Sequence, residues 1–138
     1  MDSIFWSRVH GGVTHFPVAL IFCATFFETI GFLFSSRLRD FRATGYWLLV
    51  FSGISCFGAV FSGLALSNWT VSGKGLLLEH HLFVWPASAL IVGLTSWRVT
   101  VGESPSRRAF AIYLLLLATA CALVGAAGLS GGELLLGQ

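Results

Sequence analysis

Charge is what this sequence lacks. Only 10% of its 138 residues are Asp, Glu, Lys or Arg, whereas about a quarter are charged in a soluble domain. That scarcity excludes an ordinary water-soluble fold. Lys and Arg total 8 and Asp and Glu 6, for a net charge of +2, and no segment is basic enough to form a nucleic-acid surface. Cysteine is also sparse: Cys23, Cys56 and Cys121 are odd in number, lie in apolar stretches and form no C-x-x-C pair. A disulfide framework, a zinc ribbon and covalently attached c-type haem are therefore excluded, and the three read as packing residues. No nucleophile–base pair, P-loop or dinucleotide fingerprint is present. Gly131-Gly132 and Gly73-x-Gly75 are too short to cradle phosphate. The start of the chain has no basic n-region, so the first apolar run is expected to remain in the mature protein.

Apolar residues are plentiful instead, at 56% with a mean hydropathy of +0.84. Four apolar runs, at about 13–34, 44–66, 78–98 and 109–130, are separated by short polar segments. Each has about 20 residues or more, enough to cross a hydrocarbon layer of about 30 Å at about 1.5 Å per residue. The expectation is one all-α transmembrane domain over residues 1–138, an up-down bundle of four helices with lipid as solvent. Arg37, Arg39, Arg42, Arg98, Arg107 and Arg108 fall on one side of the bilayer, and Arg8 and Lys74 on the other. The positive-inside rule then places both termini outside the cytoplasm. Trp6, Trp69 and Trp85 fall near the outer interface, and Tyr46, Trp47 and Trp97 near the inner one. The first and third runs each begin with histidine followed by proline, His15 with Pro17 and His81 with Pro86, too little to establish an internal repeat.

All four histidines, His10, His15, His80 and His81, lie at the outer ends of the first and third runs. These runs are parallel and diagonal in an up-down bundle, so His15 and His81 are expected at equal depth, facing a common ligand. His81 is favoured over His80 because Ser88 and Thr95 follow it at seven-residue steps, a face ill suited to lipid. Small residues flank this level: Ser55, Gly58, Ser62 and Gly63 on the second run, and Cys121, Gly125, Gly128 and Gly132 on the fourth. Two axial imidazoles with such flanks suit one b-type haem, with His15 and His81 on the iron and Ser62, Gly63 and Gly128 giving clearance. Tight helix contact through small residues explains the same glycines without a cofactor. His10 is expected at the rim, where it would serve a second haem with His80 or join Arg8 in binding propionates. Glu28, about 140° around the helix from His15 and about 20 Å deeper, is outside this cluster. It is expected to be protonated unless paired, as a neutral acid bonded to a neighbouring helix, a partner contact or a quinone-linked proton site.

The run from His10 through His15-Phe16-Pro17-Val18-Ala19-Leu20, Gly63, the histidine opening the third run, and Gly131-Gly132-Glu133-Leu134 resemble a bacterial four-helix membrane family, domain of unknown function 2231. The resemblance covers nearly the whole chain and implies the architecture and a multi-pass place in the bacterial inner membrane. In arrangement, the chain is also similar to small membrane b cytochromes. The function expected is therefore electron transfer between a periplasmic cytochrome or other redox protein and the quinone pool, alongside other membrane subunits. The alternative is a haem-free accessory or assembly subunit of a larger membrane complex. Metal transport is weaker, because no acidic or Met-rich ligand path crosses the membrane.

Overall fold

Each apolar run forms one long helix. In the computed structural model, which describes residues 3–34, 39–102 and 105–136, the helices are α1 (Ser3–Leu33), α2 (Arg39–Leu66), α3 (Leu76–Val101) and α4 (Arg107–Leu136). Arg37 of the basic loop and the C-terminal Gln138 lie outside the described residues. The described residues contain no strand, and all four helices are long and apolar enough to cross a membrane. The helices outrun the expected spans. At 31 residues, α1 is about 46 Å long and carries His10, Gly11 and Gly12 inside the helix instead of beyond its end.

The helix ends follow local chemistry. At the start of α4, the Ser106 hydroxyl accepts the Ala109 N–H at 3.2 Å, a side-chain N-cap directly after Pro105. At the end of α3, Gly102 adopts φ 66°, and its N–H donates to Arg98 O at 3.2 Å. That left-handed turn suits glycine, which has no Cβ to clash.

Helix α1 packs along α2 and α3 along α4, and the two hairpins join through α2–α3 and α1–α4. Thus α1 and α3 are diagonal, as expected of an up-down bundle. One fully buried aliphatic side chain from each helix meets at the centre: Ile21, Leu49, Ile91 and Leu117. These four belong to a longer correspondence. Four of the five buried positions of α1 recur 70 residues later in α3, as Pro17/Ala87, Ile21/Ile91, Ala24/Leu94 and Glu28/Arg98. Those of α2 recur 68 residues later in α4, as Leu49/Leu117, Ser52/Ala120, Cys56/Val124 and Ser62/Ser130. The two hairpins thus share one pattern of buried positions, as an approximate twofold along the bundle axis would produce. His15 and His81, the histidines that open the first and third runs, are 66 residues apart and out of phase with the 70-residue offset, so they do not reveal it.

Large apolar side chains such as Phe16, Phe22, Phe57 and Leu115 point outward. A surface of this kind fits lipid, where apolar side chains gain nothing by turning inward.

Candidate functional site

The repeat decides which histidines face the bundle. On α1 the buried stripe runs through Pro17, Ile21, Ala24 and Glu28. His10, seven residues before Pro17, lies within about 20° of that stripe, while His15 lies about 160° from it. His15 is exposed on the outer face. On α3, His80 stands seven residues before buried Ala87 and takes the place corresponding to His10. His10 is within electrostatic reach of His80, and His80 is also close to its neighbour His81, their ring centroids 6.1 Å apart. His15, on the outer face, is not paired with His81 across the core. The polar stripe that favoured His81 has a local explanation. The Thr95 hydroxyl donates to Ile91 O of its own helix at 2.7 Å and packs where Gly53 leaves room.

The two sites repeat in detail. His10 Nδ1 lies 3.0 Å from Ser62 Oγ. Ser62 spends its own proton on Ala59 O at 3.0 Å, so its oxygen accepts and His10 Nδ1 carries the proton. His80 Nδ1 lies 3.0 Å from Ala127 O and 3.2 Å from Ser130 Oγ. A carbonyl can only accept, so His80 Nδ1 is also the protonated nitrogen. In a neutral imidazole, this leaves the Nε2 lone pair available on both rings. A glycine seats each ring. A Cβ at Gly63 would meet His10 Cε1 at 2.9 Å, and one at Gly131 would meet His80 Cε1 at 3.0 Å. Gly63 and Ser62 thus belong to this level, as the sequence suggested, but they make room for the imidazole. Gly131 does the same on α4, whereas Gly128, expected in that role, is exposed with nothing within 4 Å of an added Cβ.

His81 is buried, with its ring 5.9 Å from Trp85 and no hydrogen-bond partner at Nδ1. The Trp85 indole N–H donates to Val71 O at 2.8 Å, tying the α2–α3 connection to α3 near this histidine. Arg8, expected at the rim, is exposed two residues before His10. Among the described residues, no group of three or more His, Cys, Asp or Glu is placed to hold a metal ion. The donor set consists of two imidazoles on diagonal helices, which suits a group bringing its other metal ligands with it. Haem is such a group and asks the protein for two axial nitrogens.

A second polar cluster, near the opposite ends of the same helices, was not assembled from the sequence. Glu28 is fully buried, and its Oε1 accepts from Arg98 Nε at 3.1 Å and from the Tyr113 hydroxyl at 3.4 Å. A guanidinium N–H of Arg98 also donates to Gly102 O, and its plane lies near the Tyr46 and Phe110 rings. Glu28 is therefore bonded to neighbouring helices, α3 through Arg98 and α4 through Tyr113. Arg98, counted there as a loop charge, is 2% exposed. The signal that could have joined them is their separation of 70 residues, the repeat length itself. Gly45, the α2 position corresponding to Tyr113, admits the acid: a Cβ there would lie 2.6 Å from Glu28 Cγ.

No curated protein and no solved structure matches this chain. One family does, described as a predicted membrane protein, and its match spans residues 7–137, including both histidine sites and the Glu28–Arg98 pair. The chain therefore belongs to the membrane-protein family of domain of unknown function 2231.

Proposed function

We propose that this protein is an electron-transfer subunit of a bacterial inner-membrane complex, with one b-type haem held between α1 and α3 by His10 and His80. The observation that carries this reading is the matched pair of histidines, each donating from Nδ1 and each seated on a glycine. A hydrogen bond at the far nitrogen fixes the tautomer, orients the ring and raises the basicity of the ligating nitrogen. When bound, haem would supply a one-electron couple. Ser62, Ala127 and Ser130 would hold the rings in a fixed plane, while the apolar bundle around Ile21 and Ile91 would limit water. This reading replaces the His15–His81 ligand pair with His10–His80 and needs one haem. With both termini outside the cytoplasm, the site would face a periplasmic redox protein and exchange electrons with membrane quinone.

The test is haem content after expression with ample haem alongside the native neighbouring subunits. About one haem per chain, with a reduced low-spin spectrum, is expected. Protein purified without haem under those conditions would overturn the proposal. It would favour the second reading, a haem-free accessory subunit, for which the open glycines of α4 speak. Gly125 and Gly128 are exposed with nothing within 4 Å of an added Cβ, so another membrane helix could approach closely there.

A further inference from the structure

Phe110 gathers the positive charge at the arginine-bearing end of the bundle. The Arg42 guanidinium lies 4.5 Å from its ring centroid and the Arg98 guanidinium 5.7 Å away. Phe32 stacks on Phe110 at 5.4 Å and has the Arg107 guanidinium 5.7 Å from its own centroid. One stacked aromatic pair thus carries cations from α2, α3 and α4. Cation–π contact positions a guanidinium without removing its charge. Glu28 Oε1 already serves Arg98 and Tyr113.

Beside the aromatic pair is a half-open cavity of about 290 Å³, lined by Phe32, Leu33, Arg42, Pro105, Arg107 and Phe110. Two of these six residues are arginines and none is acidic. Arg42 lies in the first turn of α2 and Arg107 is the first residue of α4, so the positive ends of two helix dipoles add to the same field. Guanidinium groups match phosphate oxygens in geometry as well as charge. The remaining walls, Phe32, Leu33, Pro105 and Phe110, are apolar.

We propose that this cavity binds a phosphate group between Arg42 and Arg107, supplied by the headgroup of an acidic phospholipid. The apolar walls suit the glycerol and the first carbons of the acyl chains, and basic pockets between membrane helices are known headgroup sites. Inorganic phosphate would offer the same oxygens, so the experiment must separate the two sources.

The full-length protein, purified in mild detergent, is titrated with dioleoylphosphatidylglycerol or dioleoylphosphatidylcholine, and lipid adducts are counted by native mass spectrometry. In parallel, thermal unfolding is followed with and without inorganic phosphate. Phosphatidylglycerol should survive gas-phase activation that strips phosphatidylcholine. Arg107→Gln, at the exposed first residue of α4, should weaken this retention about tenfold. The double variant Arg42→Gln/Arg107→Gln should abolish it. Arg108→Gln, exposed and outside the cavity lining, should match wild type. A phosphate-induced rise in unfolding temperature that is lost in Arg107→Gln, without a lipid preference, would keep the phosphate site and make the free ion its ligand. Equal retention of both lipids with no effect of phosphate would overturn the proposal, as would equal behaviour of Arg107→Gln and Arg108→Gln.

Discussion

The first hairpin, α1–α2, and the second, α3–α4, agree near one end of the bundle and differ near the other. At the histidine-bearing end, His10, Ser62 and Gly63 correspond to His80, Ser130 and Gly131, and each set makes the same contacts within its own hairpin. At the arginine-bearing end, the first hairpin contributes Glu28 and Gly45 where the second contributes Arg98 and Tyr113. The difference follows from what faces what across the approximate twofold. Two neutral imidazoles can face a common ligand, so identity is useful there. Two buried glutamates or two buried arginines in the same relation would repel in a low-dielectric interior, so the two hairpins must differ where a charge is used.

The largest effect should come from breaking the unlike pair. Arg98→Ala leaves Glu28 buried without its cation and should cost about 3–5 kcal/mol, read as thermal unfolding in detergent. Replacing both residues, in Glu28→Leu/Arg98→Leu, should recover most of that loss, because an apolar pair carries no desolvation cost. If Arg98→Ala were as stable as wild type, the pair would not be holding the hairpins together.

The like pair is probed by filling the glycine seats. Gly63→Ala and Gly131→Ala each drive a methyl group to about 3 Å from an imidazole carbon and should cost about 1–3 kcal/mol. Both should lower haem per chain to a similar extent, measured after extraction, while Gly128→Ala should leave it unchanged. A loss confined to one hairpin would show that the two seats are not equivalent.

A smaller difference separates the anchors. Ser62→Ala removes the hydroxyl bonded to His10 and should cost about 0.6 kcal/mol, typical of polar contacts within membrane bundles. Ser130→Ala should cost less, because Ala127 O still accepts from His80 Nδ1. Unfolding temperatures of the two variants, measured in one detergent, check the order. The smallest effect belongs to His15→Ala: the side chain is exposed on the outer face, and its removal should leave the absorption spectrum as in wild type.

Helix number and the clustering of histidines at one end were legible in the sequence, because hydropathy over about 20 residues and the positions of four rare side chains need no tertiary information. Rotational phase was not. Spacing alone showed Ser88 and Thr95 in step with His81, but it could not show that the Thr95 hydroxyl is satisfied by its own helix. The apolar residues on α1 were equally uninformative: outward-facing Phe22 and Phe26 are as hydrophobic as inward-facing Ile21 and Ala24, since lipid and core ask for the same chemistry. The first apolar run, starting at about residue 13, left His10 beyond the helix. Burial of Pro17 together with the seven-residue step back to His10 is what brings that histidine onto the core face. Arg98 was read as a topological charge because it stands in the last turn of its helix, and only the fold shows Glu28 opposite it.

The central claim is that His10 and His80, the equivalent pair, are the ligands, and electron paramagnetic resonance of the oxidised, haem-loaded protein tests it most directly. Wild type should give a low-spin bis-imidazole signal. His10→Ala and His80→Ala should each convert it to a high-spin signal, whereas His15→Ala and His81→Ala should leave it low-spin. Loss of the low-spin signal in His15→Ala or His81→Ala, with His10→Ala and His80→Ala unchanged, would contradict the account.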